Sequence, residues 1–220
     1  MLEPILVEDS TPTKLVPSLE GILKDLKEDA THHDYFVALL IVFLAESGFY
    51  ISSSNKNYPQ CRPLRSLHIP EHWKSEETGI YDIRFQLAAC PDMSCKLIAI
   101  PCGDKLILNL FPLLDKKKTY SMCVQTLMYI KPFLSNLSGR YMNLKAISHR
   151  FKDNLVTPVR TDLLIESELM GPSLQCLPTE LILKILSMLS VKDVTRMAQC
   201  CSKFYGFFTK SLPNELTRTK

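Results

Sequence analysis

The sequence contains little glycine, seven residues in 220, and these residues nowhere cluster. Loops that cradle phosphate groups need closely spaced glycines, so the pattern argues against a nucleotide-binding loop. The chain also lacks a Cys-x-x-Cys pair among its eight cysteines, and His68 and His72 lie on a proline-rich stretch. Because zinc sites use such pairs or regularly spaced histidines, we predict no metal site and no cofactor.

Long apolar runs and blocks of one charge are missing too. The most apolar run, from Tyr35 to Ala45, is far shorter than the ~20 residues of a membrane-spanning helix, and no basic signal-peptide start precedes it. The net charge of +3 arises from mixed signs, and the longest basic run, Lys116 to Lys118, follows an aspartate. We therefore predict no membrane span, no nucleic-acid partner and a location in the cytoplasm or nucleus, with reduced cysteines.

No pattern typical of an enzyme stands out. Several cysteines could be proposed as nucleophiles with His149 as the base, but no glycine-rich nucleophile turn accompanies any of them. Most of these cysteines lie in apolar strand or helix patterns, which raise the pKa of a thiol. The sequence thus predicts no catalytic residue, and a hydrophobic fraction of 46% is typical of an ordinary globular protein.

The sequence pattern in the first half of the chain predicts a helix followed by a sheet. Residues 1–33 contain several prolines and are expected to form a loosely ordered lead-in. A helix apolar on nearly all sides follows, with Asp34 as its cap and Gly48 as its left-handed end. A long loop is predicted from Tyr50 to Gly79, with Leu67, Ile69 and Trp73 turned inward.

Three antiparallel strands are predicted next. In Tyr81–Leu87 the apolar residues alternate with polar ones, which indicates a half-buried strand. Cys95–Ile100 and Lys105–Phe111 would form a hairpin around Gly103. The last strand is apolar on both sides, which predicts either a covered strand or an open edge that pairs with a second protein through Leu106, Ile107 and Leu108.

Helices are predicted from Tyr120 onward. One covers residues 120–134, the next residues 139–156, and a third begins with Thr157 as cap and Pro158 as first residue. The second of these helices, residues 139–156, has one apolar face made by Tyr141, Leu144, Ile147, Phe151 and Leu155. Gly171 and Pro172 mark a domain boundary.

A second, smaller helical unit is predicted after this boundary. The stretch "LPTELILKILSMLSVKDV" begins at Leu177, and Ser190 would cap a second helix with Asp193 completing a capping box. Leu181, Ile185 and Leu189 form one apolar stripe, and Ile182 and Leu186 form another. Two short helices cannot bury both stripes, so one should meet the second helix and the other a neighbour. The sequence leaves open which is which.

This second unit resembles the F-box family. The residues that carry the resemblance are Leu177, Pro178, Glu180, Leu181, Ile185, Leu186, Leu189, Asp193, Ala198, Cys200, Cys201 and Phe204. The tryptophan usual in the last F-box helix is missing from residues 211–220, so this unit departs from the pattern near its end. The resemblance implies binding to the Skp adaptor of SCF ubiquitin ligases through Leu177, Pro178, Leu181, Ile182, Ile185, Leu186, Leu189, Met197, Cys200, Cys201 and Phe204.

The preceding segment resembles the FP domain, a module shared by some F-box proteins and a proteasome inhibitor. The matching stretches are "LAESGFY", "IPEHWK", "GIYDIRFQ", "IPCGDKLILNL" and "HRFKDNLVTPV". The mammalian member with this domain order also carries a ubiquitin-like domain, for which the residues before 34 are too few, and a proline-rich tail. The expected fold is α+β: an FP domain over residues 34–170, with helices on an antiparallel sheet, followed by a small all-α F-box over residues 173–220.

The resemblance implies a non-catalytic adaptor subunit. Such a chain would be the substrate-recognition subunit of an SCF ligase, bound to the Skp adaptor and cullin. Its FP domain would pair with itself or with other FP domains and would bind protein substrates. The alternative is a scaffold that acts without ubiquitination, pairing with the proteasome-inhibitor FP domain to regulate the proteasome.

Overall fold

The computed structural model describes residues 6–52, 67–114, 118–167, 174, 177 and 179–200. Contacts within the chain divide it into two compact units, residues 1–169 and 170–220. The first unit has an antiparallel sheet with helices and the second is helical, which confirms the predicted α+β class. Within the described ranges, no helix has both the length and the apolar character to cross a bilayer.

The sheet of the first unit has five antiparallel strands in the order β1-β2-β3-β4-β5. The strands are β1 (Phe49–Ile51), β2 (Tyr81–Leu87), β3 (Cys90–Cys102), β4 (Lys105–Pro112) and β5 (Tyr120–Gln125). Alternation along β2 places Tyr81, Ile83, Phe85 and Leu87 in the core and Asp82 and Arg84 in solvent, as predicted. Gly103 has φ = 64° in the turn of the β3–β4 hairpin, where a side chain would be strained.

The helices of the first unit are α1 (Pro17–Leu23), α2 (His32–Glu46), α3 (Leu144–Phe151) and α4 (Thr157–Glu166). Every residue of α2 from His33 to Leu44 is buried, so the helix that the sequence predicts to be apolar on nearly all sides lies in the core. The cap differs from the predicted one: Thr31 is the cap, and Asp34 completes a capping box from the third helical position. Gly48 ends the helix with φ = 88°, as predicted.

The structure corrects the predicted lead-in. Val7, Leu15, Leu19 and Ile22 are fully or almost fully buried in the core, and α1 packs on α2. The Val7 N–H donates to the Glu46 carboxylate at 2.7 Å, which ties the segment to the end of α2. Prolines did not prevent order here, because Pro17 begins α1, where the missing N–H leaves no bond unmade.

The structure also corrects the helix predicted over residues 120–134. Tyr120–Gln125 is the edge strand β5, with Met122 and Val124 buried and Ser121 and Cys123 exposed. Its apolar residues fit a period of two as well as a helical period, and pairing with β4 selects the strand.

The third predicted helix, with Thr157 as its cap, begins at a different place in the structure. α3 passes through a π-helical turn, Lys152–Val156, directly into α4, so Thr157 lies inside a continuous helix and is not a cap. The predicted buried face of this segment is confirmed, because Tyr141, Leu144, Ile147, Phe151 and Leu155 are all in the core.

The described part of the second unit contains two short helices, α5 (Thr179–Ser187) and α6 (Val191–Cys200). Ser190 lies between them, and its hydroxyl oxygen accepts the Asp193 N–H at 3.3 Å. The hydroxyl itself donates to the Asp193 carboxylate at 2.6 Å. The predicted start of the second helix at Ser190 is therefore confirmed.

Candidate functional site: the exposed stripe of the helical hairpin

The two apolar stripes of α5 have different environments. Ile182 and Leu186 form a small core with the partly buried Leu177, Val194 and Met197. Leu181 is 47% exposed and Ile182 only 1% exposed, although they are neighbours in sequence. The side of α5 that faces α6 is therefore the Ile182 side, which answers the question that the sequence left open.

The exposed stripe is defined here as Leu181, Ile185, Met188 and Leu189. Met188 is 79% exposed and Leu189 is 38% exposed, while Ile185 is half-buried. Leu181 and Ile185 are four positions apart on one face of α5. Met188 and Leu189 follow in the turn after the helix, where their N–H groups donate to the Ile185 and Leu186 carbonyls at 3.1 and 3.2 Å, so they are placed to extend the same apolar surface. Val191, at the start of α6, is exposed as well. Such a surface on a small unit is typical of a protein-binding site.

The predicted adaptor-binding residues thus fall into three groups. Leu181, Ile185 and Leu189 are on the exposed stripe. Ile182 and Leu186 are buried in the hairpin's own core, and the partly buried Leu177 and Met197 pack against them; these four residues stabilise the hairpin, and their contact with an adaptor stays a prediction. Pro178, Cys201, Phe204 and the side chain of Cys200 lie outside the described residues. The sequence interpretation missed Met188 and Val191; the spacing of seven from Leu181 was the available signal for Met188.

The predicted partner strand β4 is not an edge. It pairs with β3 on one side and, from Lys105 to Leu110, with β5 on the other, so this part of its backbone cannot add another strand. Leu106 and Leu108 are fully buried, as the covered-strand alternative predicted. Ile107 points to the opposite face and is 38% exposed. Adjacent to it, Ile98, Ile100 and Phe111 are half-buried, and Ile100 is directly opposite Ile107. We call these four residues the outer apolar patch.

A charged network holds the FP-like stretches together. The carboxylate of Asp34 accepts hydrogen bonds from Lys74 Nζ at 2.8 Å, from the Tyr81 hydroxyl at 2.8 Å and from the Thr31 N–H at 2.7 Å. Burial alone would raise the pKa of Asp34, but the hydrogen bonds from Lys74, Thr31 and Tyr81 outweigh it and lower the pKa below its usual value. Burial, together with the Asp34 charge, raises the pKa of Tyr81. This network joins the start of α2, the loop before β2 and β2 itself.

The described residues do not gather into a metal-binding cluster. Within the described ranges, no three His, Cys, Asp or Glu side chains are placed to hold a metal ion. Cys90 and Cys95 are buried free thiols, and burial raises the pKa of Cys95 to about 12. A thiol with such a pKa is almost fully protonated at neutral pH and is a poor nucleophile.

Two family models match the chain. The model described as the PI31 proteasome regulator N-terminal domain matches residues 27–166. The F-box domain model matches residues 174–216, which include the helical hairpin.

Curated relatives are similar to this chain over long stretches. F-box only protein 7 from Homo sapiens is 24% identical over 210 residues, which are 92% of this chain and 38% of the relative. F-box only protein 7 from Rattus norvegicus is 27% identical over 207 residues, 91% of this chain and 37% of the relative. Protein nutcracker from Drosophila melanogaster is 26% identical over 125 residues, 54% of this chain and 40% of the relative.

These similarities confirm the resemblance that the motifs predicted. The chain spans well under half the length of the relatives it matches. It belongs to the PI31 proteasome regulator N-terminal family, and it carries an F-box after that domain.

Proposed function

We propose that the chain is the substrate-recognition subunit of an SCF-type ubiquitin ligase and that the exposed stripe binds the Skp adaptor. The observation that carries this proposal is the division of α5 into a buried and an exposed apolar face within a segment that matches the F-box model. F-box proteins are in general adaptor subunits, so this chain would supply position and not chemistry.

The stripe has the composition expected of an apolar helix face that binds in a groove. Leu181 on α5 and Met188 and Leu189 in the turn after it are large apolar side chains that are exposed among the described residues. An amphipathic helix of this kind inserts its apolar face into a groove on its partner. Ile182 and Leu186 then have an indirect role: they pack α5 on α6 and so fix the direction of the stripe.

The mechanism follows from this attachment. The F-box would fix the chain to the Skp adaptor and cullin, and the FP domain would hold a substrate or regulator. Holding both on one scaffold raises the effective concentration of substrate lysines near the conjugating enzyme. No residue of this chain would take part in the transfer itself.

A matched pair of variants tests the adaptor contact. Leu181→Asp places a charge in the stripe, and Ile165→Asp places the same charge at a residue of α4 that is also 47% exposed. We expect Leu181→Asp to weaken capture of the Skp adaptor by the full chain by about thirtyfold, the range of a hot-spot residue. Ile165→Asp should bind like the wild type. Failure of the wild-type chain to capture the adaptor, or equal loss in both variants, would refute the proposal.

The outer apolar patch favours a second candidate function. The outer apolar patch lies on the solvent face of β3 and β4, and charged residues border it on the β2 side: Asp82 is opposite Ile98, and Lys96 is opposite Phe111 and Arg84. An apolar centre with a charged rim is the usual anatomy of a protein interface. We propose that FP domains pair through this face, which would support a scaffold that acts on the proteasome without ubiquitination.

Variants of the outer apolar patch and of the exposed stripe distinguish this second candidate function from the first. Ile107→Asp should abolish capture of a proteasome-inhibitor FP domain by the full chain and leave Skp capture unchanged. Leu181→Asp should weaken Skp capture and leave capture of the FP domain unchanged. If FP-domain capture persists in Ile107→Asp, the outer apolar patch is not the pairing surface.

A further inference from the structure

A loop after β5 holds large apolar side chains in solvent. Phe133 is 100% exposed, and Leu134 and Leu137 are also exposed. The loop, residues 131–140, is closed where the Lys131 N–H donates to the Arg140 carbonyl at 2.8 Å. Ile130 and Tyr141 form a bridge just outside it. We call this segment the apolar loop. Compact surface loops with close ends frequently carry function.

The apolar loop is braced from within. The Asn136 side-chain oxygen accepts the Ser138 N–H at 3.2 Å and the Ser138 hydroxyl at 2.8 Å. Arg140 Nε donates to the Leu134 carbonyl, and its guanidinium lies over the Tyr35 ring at 4.7 Å. Because the backbone is already ordered, little conformational entropy remains to be lost when the exposed side chains bind.

The stretch of sequence that contains the apolar loop carries charge of one sign. Between Asp115 and Asp153 the sequence has eight lysines and arginines and no aspartate or glutamate. Lys118 and Lys152 are paired with Asp162 and Glu46, which come from other segments. By contrast, Lys131 and Lys145 are exposed and form no ion pair with any residue that the structure describes. Asp104 contacts β5, the strand before the loop, where its carboxylate accepts a hydrogen bond from Gln125 Nε2.

Shape and charge together select the binding partner. A second copy of the same loop would bring like charges together, which opposes a symmetric contact. A peptide would need a groove, whereas a fully exposed Phe133 stands out from the surface. Exposed apolar side chains on a loop that also contains the exposed Lys131 fit an interface between acyl chains and anionic headgroups. We propose that the apolar loop binds the surface of anionic lipid bilayers, with Phe133 and Leu137 inserted and Lys131 near the headgroups.

Vesicle sedimentation with the full chain tests this proposal. The chain should bind phosphatidylcholine vesicles that contain about 30% phosphatidylserine and should not bind vesicles of phosphatidylcholine alone. Added salt should weaken the binding, since exposed charges are screened. Absence of binding to the anionic vesicles, or equal binding to both kinds, would overturn the proposal and leave an acidic protein as the alternative partner.

Variants locate the contact. Phe133→Ser with Leu137→Ser should lower partitioning at least about tenfold, and Lys131→Gln should lower it about fivefold. Phe133→Trp should retain binding, because an indole suits the interface. Ile165→Ser changes an exposed apolar residue of α4, outside the loop, and should have no effect. Equal loss in Ile165→Ser, or full binding by the double variant, would overturn the assignment. A thermal unfolding curve for each variant checks that the fold is intact.

Discussion

The central helix α2 and the F-box helix α5 are both rich in apolar residues, yet they differ in what covers them. Along α2, every residue from His33 to Leu44 is buried by the sheet, α1 and the segments around them. On α5, Ile182 and Leu186 are buried and the exposed stripe is not. The first unit has enough chain to surround a helix, whereas a hairpin of two short helices has only one inner face. An apolar helix in a unit too small to cover it therefore indicates a binding surface.

The largest expected effect concerns the covered helix. Phe43 is fully buried in α2 and lies 6.1 Å, ring centroid to ring centroid, from Phe151. Phe43→Ala should lower the free energy of unfolding of the first unit by about 3–5 kcal/mol, since it leaves a cavity in a packed core. Urea denaturation measures this. Leu181→Ala is the control and should change the value by less than about 0.5 kcal/mol. Similar losses in both would break the contrast between the two helices.

The network around Asp34 adds a pH dependence to the first unit. In the folded chain the pKa of Asp34 lies below its usual value, so its contribution to stability is present above the unfolded pKa of about 3.9 and is lost as the pH falls through the folded pKa. Asp34→Asn should cost about 2 kcal/mol at pH 7, because it removes charged hydrogen bonds to Lys74 and Tyr81. Denaturation at pH 7 and pH 3 should show a smaller loss on acidification in the variant than in the wild type. An unchanged loss would mean that Asp34 is not the group involved.

Within α5, two neighbouring positions sharpen the comparison. Ile182→Ala should destabilise the hairpin by about 2 kcal/mol, at the low end for a core aliphatic residue because the hairpin core is small. Leu181→Ala should leave the helical circular dichroism of the second unit unchanged and reduce adaptor capture. If Leu181→Ala also unfolds the hairpin, the stripe is covered in solution by part of this chain.

The smallest expected effect is at the start of α6. Ser190→Ala removes the oxygen that accepts the Asp193 N–H and should cost the hairpin about 1 kcal/mol. Ser190→Asp retains an acceptor and should recover most of this loss, which thermal melting of the two variants can measure. No difference between them would mean that the cap contributes nothing to hairpin stability.

Much of the fold could be predicted from local pattern. The alternation of β2, the hairpin around Gly103 and the all-round apolar α2 each depend on a signal contained within a few residues. The errors occurred where two periods fitted equally well, as in Tyr120–Gln125, or where long-range hydrogen bonds ordered a proline-rich segment, as at Val7 and Glu46. A local pattern cannot contain the partner that resolves such a choice.

The sequence by itself determined that α5 has two apolar stripes and that residues 174–216 carry an F-box, because the motif and the helical spacing are local properties. Only the tertiary structure decided that Ile182 and Leu186 face α6 while Leu181, Met188 and Leu189 remain exposed. It also decided that β4 is an interior strand and that Ile107, not Leu106 or Leu108, reaches the surface. The physical reason is the same in both cases. Which face of an apolar element is buried depends on the neighbour packed against it, and the spacing of residues along the chain contains no information about that neighbour.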